Sequence, residues 1–362
     1  MRSRRALLGQ AVAASVSHVL SAADDRITSQ QTEALDGAGR GFHESHSIPA
    51  LSIAIARKGE LIYAKGFGFA DLRGRETLTP AHLFRIASIS KPITSVAVFS
   101  LMEQGRLRLD DRVFGPEGIL RNDYGAPPYR QYVGDVRIRH LLTHTAGGWQ
   151  NDHGDPMFRN PQMNHQQLIT WALAECPLTN PPGQHFAYSN FGYCVLGRVI
   201  EKITRQPYDQ YVQAAILERC GIHDMRIAGN TLRERAHGEV VYAGVHEKDP
   251  YTMNVRRMDS HGGWLANASD LARFAMSLEH VLTAESIREM TTATSANPGY
   301  AKGWAVNATP NWWHNGSLPG TTTLMVRTAS GFCWSALANV RPVGTDLALA
   351  MDRMMWELSR LI

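Results

Sequence analysis

Alternating apolar and polar positions near both ends of the chain predict β-strands. Residues 51–56 and 61–70 flank a short glycine-containing turn, which is typical of a β-hairpin. Toward the C-terminus, residues 321–327 and 331–340 form two further apolar, β-branched runs, and residues 345–361 have the periodicity of a terminal helix. Strand-forming segments therefore lie at both ends of the chain.

Helical periodicity dominates the middle of the chain. Apolar positions recur at spacings of three and four, for example in residues 166–174 and 191–203, and Pro/Gly/Asn loops interrupt them. We therefore predict an α+β fold whose antiparallel sheet is built from residues 24–87 and 244–362 and is flanked by helices. A mainly helical part, residues 88–243, is inserted between them, and a cleft is expected where the two parts meet.

Composition narrows the class of protein. The 362 residues are 44% hydrophobic and 19% charged, which is typical of a globular chain. The formal net charge of +4 comes from scattered Lys and Arg residues, so we expect no nucleic-acid partner.

The first residues have a different character from the rest. Arg4 and Arg5 precede a mildly apolar stretch that ends in small residues at Ala23, and this resembles a twin-arginine export signal over residues 1–23. The alternative is an amphipathic N-terminal helix. The stretch is too polar and short for a stable membrane span, so we expect an exported, periplasmic or secreted protein with a mature chain of residues 24–362.

The four cysteines lack the paired short spacing of a zinc site, and a chain of this size does not depend on a disulfide framework. Export would permit a disulfide bridge. Because the twin-arginine route, by resemblance, carries proteins already folded in the reducing cytoplasm, we expect mostly free, buried thiols. These residues are Cys176, Cys194, Cys220 and Cys333.

Ser88 and Lys91 form a candidate pair of nucleophile and activator at the expected start of the first helix of the middle part. Positions three apart lie on the same helix face, so the hydroxyl and the amine can come within hydrogen-bond reach. Lysine activates a serine only when it is neutral, which requires an apolar site that lowers its pKa from about 10.4. Apolar residues on both sides of the pair supply that setting.

Two further clusters carry polar side chains beside predicted loops or strands. Tyr188 and Asn190 follow a Pro/Gly loop, and the tyrosine can relay protons if a nearby cation lowers its pKa from about 10. His314 precedes Gly316 and Ser317 at a predicted strand. Gly316 would let the backbone approach a substrate closely, which leaves the Ser317 N–H free to donate to an oxyanion.

In this order, the three clusters resemble the S-x-x-K, Y-x-N and K/H-x-G motifs of the serine β-lactamase and penicillin-binding protein superfamily. The resemblance covers most of the mature chain and implies a β-lactamase/transpeptidase-like fold in one catalytic domain. Three further segments are similar to the class C, DD-peptidase-like and esterase-like branch of that superfamily: residues 84–87, 138–148 and 262–265.

The resemblance implies a role for each candidate residue in an acyl-enzyme mechanism. Ser88 would attack a carbonyl, Lys91 would take its proton, and Tyr188 would shuttle protons to the leaving group and from water. Whether Lys91 or Tyr188 is the acylation base stays open. The N–H groups of Ser88 and Ser317 would bind the oxyanion, and Asn190 would bind a substrate amide carbonyl or hold Lys91 in place.

His314 departs from the lysine that lactamases usually carry in the third motif. An imidazole with an ordinary pKa of about 6.5 is mostly neutral at pH 7, so we expect weaker, pH-dependent anchoring of a substrate carboxylate. By resemblance, this favours an exported serine hydrolase of D-Ala carboxypeptidase-like or esterase-like specificity. The alternatives are a class C-like β-lactamase, a non-catalytic penicillin-binding sensor or scaffold, and an acyltransferase.

The sequence gives no reason to expect a cofactor or a metal. His140 and His144 have the spacing of a zinc pair, but the adjacent glutamate of a zincin helix is absent, so structural histidines are favoured. Trp149, Trp312 and Trp313 fit a substrate cleft and a core equally well. We expect a small-molecule or peptide substrate, and the oligomeric state stays open.

Overall fold

The large sheet joins strands from both ends of the chain in the computed structural model, which describes residues 26–151, 154–242, 244 and 248–362. Its strands are β1 Ala50–Arg57, β2 Glu60–Asp71, β3 Glu76–Thr77, β7 Ala305–Val306, β8 Trp312–Leu318, β9 Thr321–Arg327 and β10 Phe332–Ala338. They are antiparallel and lie in the order β3-β2-β1-β10-β9-β8-β7. Since β1 pairs with β10, the predicted sheet is confirmed.

A small second sheet and ten helices complete the described fold. The small sheet has the order β4-β6-β5, with β4 Phe84–Arg85, β5 Arg226–Ile227 and β6 Trp264–Ala266. The helices are α1 Ser29–Ser45, α2 Ser90–Glu103, α3 Ile138–Leu142, α4 Pro156–Arg159, α5 His165–Glu175, α6 Asn190–Thr204, α7 Tyr208–Val212, α8 Ala268–Met276, α9 Ala284–Thr291 and α10 Leu347–Ser359. Among the described residues, none of these helices has the length and apolar character needed to cross a bilayer.

Both faces of the large sheet are covered. On β1, the large side chains Ile53 and Ile55 lie in a core with Leu35 of α1 and Met351 of α10, whereas the small residues between them belong to the main core with α8. Each fully buried side chain of this size contributes about 1.5–3 kcal/mol of hydrophobic stabilisation. The alternation in the sequence therefore sorts large from small side chains between two layers, so neither face of β1 is solvated.

The helical segments connect the ends of the sheet and position the cleft. The helices predicted at residues 166–174, 191–203 and 345–361 correspond to α5, α6 and α10. The division of the chain at residues 87/88 and 243/244 stays a prediction. The predicted export signal, residues 1–23, lies outside the described residues.

Candidate active site

Ser88 lies in a short 3-10 turn, Ala87–Ile89, between β4 and α2. The carbonyl oxygen of Ile86 accepts a hydrogen bond from Thr323 Oγ1 of β9 at 2.9 Å. The N–H of Ile86 donates to the carbonyl oxygen of Trp264 at 3.0 Å. Ala87 has a left-handed φ of 49°, which L-residues adopt at an energetic cost. Both sheets thus fix the turn that presents a partly exposed Ser88 to the cleft.

Gly316 allows β8 to lie directly against this turn. A Cβ atom at Gly316 would lie 2.2 Å from the Ile86 carbonyl oxygen and 2.3 Å from Thr323 Oγ1. β7 pairs only with the first two residues of β8, so the rest of that edge lies beside the Ser88 turn. The sequence predicted that Gly316 lets the strand approach a substrate, and the close approach seen in the structure is to the backbone that precedes Ser88.

Lys91 is completely buried in the first turn of α2 and makes three hydrogen bonds. Its Nζ atom lies 3.0 Å from Ser88 Oγ, 2.6 Å from Asn190 Oδ1 and 3.0 Å from the carbonyl oxygen of His261. The helix spacing alone brought Ser88 and Lys91 together, whereas Asn190 and His261 come from distant parts of the chain. Positioning of Lys91 by Asn190, one of the two roles predicted for it, stays a prediction that is consistent with this contact.

Burial lowers the pKa of Lys91 to about 7, and the carboxylate of Asp155 opposes this shift. The neutral amine has two N–H groups and one lone pair. Asn190 Oδ1 and the His261 carbonyl oxygen can only accept, so they take the two N–H groups. The lone pair is then directed at Ser88 Oγ, which is the arrangement that a general base for this hydroxyl requires.

Asp155 is a buried carboxylate that orders the loops around Asn190. Its Oδ1 atom accepts from the N–H of Met157 at 2.9 Å and caps α4, and its Oδ2 atom accepts from the N–H of Asn190 at 2.8 Å at the start of α6. Burial raises the pKa of Asp155 to about 6. At pH 7 this carboxylate is mostly ionised and acts on Lys91 electrostatically.

Tyr188 lies beside both catalytic candidates. Its hydroxyl hydrogen bonds with Ser88, and Lys91 Nζ is 4.8 Å from the centre of its ring. Burial nevertheless raises the pKa of Tyr188 well above its ordinary value. The lowered pKa that the sequence set as a condition for proton relay is therefore not found, and Tyr188 carries its proton at neutral pH.

A buried hydrogen-bond chain runs from the loop of Tyr188 to β8. His144 Nδ1 accepts from the N–H of Ser189 at 3.1 Å, and its Nε2 lies 3.2 Å from Tyr300 Oη. Tyr300 Oη lies 3.1 Å from His314 Nε2, and His314 Nδ1 lies 2.6 Å from the carbonyl oxygen of Asn315. The His144 ring also packs on the Tyr188 ring, with their centres 4.2 Å apart.

His314 is part of this chain and is uncharged. Burial and the nearby Lys91 lower the pKa of His314 to about 3, so it stays neutral throughout the pH range in which the protein is expected to work. The sequence predicted titration near pH 6.5 and hence pH-dependent carboxylate anchoring. That prediction is wrong, because it took the ordinary imidazole pKa for a side chain that is 4% exposed.

Two cavities meet at Ser88. One, of about 360 Å³, is lined by Ser88, Asn151, Tyr188, Tyr300, His314 and Ser317, among others. The other, of about 510 Å³, also contacts Ser88 and Asn190. Much of its wall is apolar, with Met157, Phe158, Met253, Met258, Leu318 and Pro319, and it includes Lys248 and Arg341. Ser88 is therefore reached from two sides that differ in chemistry.

Comparison with known proteins identifies the family. The sequence model described as Beta-lactamase matches residues 27–353. The chain belongs to the Beta-lactamase family. The predicted superfamily and its β-lactamase/transpeptidase-like fold are confirmed.

Curated relatives and solved structures agree with this Beta-lactamase-family assignment. Penicillin-binding protein 4* of Bacillus subtilis is 26% identical over 78% of this chain and 66% of its own length. Protein flp of Staphylococcus aureus is 28% identical over 52% of this chain and 36% of its own length. The chain thus spans less than two thirds of these curated relatives.

Two solved structures share the fold of this Beta-lactamase-family chain. The D-amino acid amidase of Ochrobactrum anthropi SV3, complexed with L-phenylalanine amide, has a TM-score of 0.76 at 19% identity over 92% of this chain and 98% of its own. The octameric penicillin-binding protein homologue of Pyrococcus abyssi has a TM-score of 0.72 at 24% identity, over 91% of this chain and 77% of its own. At these sequence identities, the similarity to the two structures shows a shared fold.

Three tryptophans of this Beta-lactamase-family chain do not line the cleft. Trp149 packs in the core against Phe191, with ring centres 5.0 Å apart. Trp312 packs on Trp304, and Trp313 lines a separate cavity between the large sheet and α10. The cleft interpretation of these tryptophans is wrong, because each ring lies on the core side of its element or on the opposite face of the sheet.

Neither histidine of the predicted zinc spacing belongs to a metal cluster. His140 Nδ1 accepts from the N–H of Arg137, and His144 is engaged with Ser189 and Tyr300. Within residues 26–151, 154–242, 244 and 248–362, His, Cys, Asp and Glu side chains form no group of three that can hold a metal ion. All four cysteines are unpaired, and three of them are buried.

Sequence reasoning missed four residues of the site: His144, Asp155, His261 and Tyr300. His144 was visible in the segment of residues 138–148 but had no chemical partner nearby in the sequence. Asp155, His261 and Tyr300 carry no local motif, since they contact the site only through packing of distant segments.

Proposed function

We propose that this protein is a serine hydrolase that cleaves an ester or an amide through an acyl-enzyme at Ser88. The observation that carries the proposal is the hydrogen bonding of Lys91. The two N–H groups of its neutral amine are directed at Asn190 and His261, so its lone pair can accept the proton of the Ser88 hydroxyl. Its family supplies further support, because the Beta-lactamase model matches residues 27–353, a range that includes all three motifs. A name such as D-amino acid amidase among its structural neighbours points to the same class of bond.

In acylation, Ser88 Oγ forms a bond to the substrate carbonyl carbon while its proton passes to Lys91 Nζ. The carbonyl oxygen becomes an oxyanion, for which the N–H groups of Ser88 and Ser317 are the proposed donors. Tyr188 then gives its proton to the leaving group as the bond between this group and the carbonyl carbon breaks. The proton held by Lys91 returns to Tyr188, so Lys91 is the base and Tyr188 the acid.

Deacylation reverses these roles with water as the nucleophile. Water attacks the acyl carbon, its proton passes to the Tyr188–Lys91 pair, and the bond between Ser88 Oγ and that carbon breaks as Ser88 regains a proton. The high pKa of Tyr188 suits a group that gives up its proton only while Lys91 replaces it. We further propose export of the mature chain, for which residues 1–23 are the support.

A substrate panel with wild type and Ser88→Ala tests the proposed function. The panel contains a p-nitrophenyl ester, a D-phenylalanine amide, a D-Ala-D-Ala peptide and a chromogenic cephalosporin. We expect wild type to turn over the ester or the amide and Ser88→Ala to lose that turnover, with an acyl adduct on Ser88 in the mass spectrum of rapidly quenched wild type. Full activity of Ser88→Ala on the substrate that wild type hydrolyses contradicts the mechanism.

The panel also separates the proposal from its alternatives. A long-lived acyl adduct without turnover identifies a penicillin-binding sensor, and fastest turnover of the cephalosporin identifies a β-lactamase. Transfer of the acyl group to an added amine or alcohol in preference to water identifies an acyltransferase. The sensor and acyltransferase results would replace the proposed hydrolase, whereas the cephalosporin result would replace its expected specificity.

Asp155→Asn is expected to shift the pH dependence of turnover. The active form needs neutral Lys91, so the wild-type rate rises with pH through the Lys91 pKa of about 7. The carboxylate of Asp155 favours the ammonium form, and its removal lowers the Lys91 pKa further. We expect the acidic limb of the kcat/KM profile, which reports groups of the free enzyme, to move to lower pH by on the order of one unit.

Asp270→Asn is the matched control for that variant. Asp270 is also a buried carboxylate, but it contacts Asn267 and Arg273 on α8. Both variants lose part of a buried hydrogen-bond network, at a cost of about 0.5–2 kcal/mol in unfolding free energy. An unshifted limb in Asp155→Asn, or an equal shift in both variants, would show that Asp155 has no electrostatic effect on Lys91.

A further inference from the structure

We propose that the cavity beside His314 receives an uncharged leaving group, such as an amide or a neutral aryl or alkyl alcohol, and discriminates against a leaving group that carries a carboxylate. The inference rests on the proposed function, because it assigns one side of Ser88 to the group that departs on acylation. It goes further by naming the charge class of the substrate at that position.

The lining of this 360 Å³ cavity is the first observation. Its described lining residues are neutral: serine, asparagine, tyrosine, alanine and the uncharged His314. Tyr188, the proposed acid, is among them, so the group it protonates departs into this space. A carboxylate placed here would lose water without gaining a cationic partner from the lining, and such burial is costly.

The direction of the buried hydrogen-bond chain is the second observation. The Ser189 N–H can only donate, so His144 Nδ1 accepts and the His144 proton is on Nε2, where it donates to Tyr300 Oη. At the other end the Asn315 carbonyl oxygen can only accept, so the His314 proton is on Nδ1. His314 Nε2 is then an acceptor for the Tyr300 O–H.

This order of donors leaves His314 without an N–H for a substrate anion. Its one proton is held by the Asn315 carbonyl, and a second proton on Nε2 would point at the Tyr300 oxygen, which already accepts from His144. The nearest amine, Lys91, is neutral in the active form and directs its two hydrogens at Asn190 and His261. The third motif therefore gives this cavity an uncharged side, formed by His314 with Tyr300, which we call the neutral wall.

The other cavity at Ser88 has the opposite character. It is lined by Lys248 and Arg341 as well as by several methionines, so it suits an apolar acyl group and tolerates negative charge. The two cavities share Ser88, Asn151 and Ser317, which allows one substrate to occupy both. We therefore expect a substrate with an apolar acyl part and a neutral leaving group, a class that includes amino acid amides and simple esters.

Matched substrates that differ only in leaving-group charge test this inference. One pair is 4-nitrophenyl acetate and 3-carboxy-4-nitrophenyl acetate, and the other is N-acetyl-D-Phe-D-Ala as its C-terminal amide and as its free acid. We expect kcat/KM of the neutral member to exceed that of the charged member by at least about tenfold. The carboxylate gives up charge-assisted hydrogen bonds to water when it enters the cavity, and the loss of one such bond is enough for this difference. An equal or higher value for the charged members overturns the inference.

Two variants place a cation in the cavity. His314→Lys replaces the neutral wall, and Asn315→Lys adds a charge from an exposed position of the same cavity without removing any member of the His144–Tyr300–His314 chain. Each is expected to lower the neutral-to-charged ratio about tenfold by raising kcat/KM of the charged member. An unchanged ratio in folded Asn315→Lys contradicts the inference even if His314→Lys does not fold.

The pH dependence of the same ratio is a further check in wild type. The titratable groups that face His314 are Lys91, Tyr188 and Tyr300, with His144 behind Tyr300. Lys91 acts on both members of a pair, so its titration cancels in the ratio, which should stay constant from pH 5 to pH 8. A ratio that falls toward pH 5 shows a His314 cation that binds carboxylates, contrary to the inference.

Ser88→Ala distinguishes the two possible failures. If Ser88→Ala hydrolyses the pairs as wild type does, the proposed function fails whatever the ratio is. If hydrolysis depends on Ser88 and the charged members are preferred, the proposed function stands and the neutral-wall inference fails.

Discussion

Replacing Lys91 by arginine should lower kcat by about 10²–10⁴-fold on the substrate that wild type hydrolyses best. A guanidinium stays protonated at any pH at which the protein is folded, so it has no lone pair to take the Ser88 proton. The acidic limb of the pH–rate profile near pH 7 should also be absent from this variant, because that limb reports the loss of the Lys91 proton. Steady-state kinetics from pH 5 to pH 9 measure both effects.

Lys302→Arg is the matched control for this variant. Lys302 is also buried, but its ammonium group is held by Glu289 and by the carbonyl oxygen of Thr292, away from the cleft. The control therefore measures the cost of fitting a guanidinium into a buried lysine site. If Lys91→Arg retains more than about one tenth of wild-type kcat, or keeps the limb, Lys91 is not the base.

Gly316→Ala should damage stability and turnover together. Its Cβ would lie 2.2 Å from the Ile86 carbonyl oxygen, so β8 must move away from the Ser88 turn. Overpacking of this kind costs about 1–3 kcal/mol or more, because backbone lies on both sides of the contact. The shift also displaces the Ser317 N–H from the proposed oxyanion position, and loss of one such donor lowers kcat about 10²–10³-fold.

Gly41→Ala is the control for that substitution. Gly41 is exposed on α1, and nothing lies within 4 Å of the Cβ it would gain, so the change should be neutral or stabilise by about 0.4–1 kcal/mol. Urea unfolding gives the stability change, and kinetics on the folded fraction gives kcat. A Gly316→Ala protein with wild-type kcat would show that the contact between β8 and the Ser88 turn does not set the geometry of catalysis.

The sequence predicted secondary structure well where the pattern depends only on residues close together in the chain. Strand alternation located β1, β2, β9 and β10, and helical periodicity located α5, α6 and α10. Residue spacing also placed Ser88 and Lys91 within hydrogen-bond distance, because one helical turn fixes that geometry. The pairing of β1 with β10 followed from strand-forming segments at both chain ends.

The pattern failed where burial decides the chemistry. The sequence offered only ordinary pKa values for Tyr188 and His314, whereas burial raises the pKa of Tyr188 and lowers that of His314 by removing water. Trp312 and Trp313 were candidates for the cleft because of their position next to His314. Packing on Trp304 holds Trp312 in the core, and Trp313 lines the separate cavity beside α10.

The sequence by itself determined the family, the strands and helices with a clear periodicity, and the candidate nucleophile with its lysine. Tertiary structure alone decided which groups are charged. Lys91 receives Asn190 from 99 positions away and the His261 carbonyl from 170 positions away, and His314 meets His144 through Tyr300. Desolvation and hydrogen-bond direction depend on these distant neighbours, so the neutral amine at Ser88 and the neutral wall beside it arise only when the chain has folded.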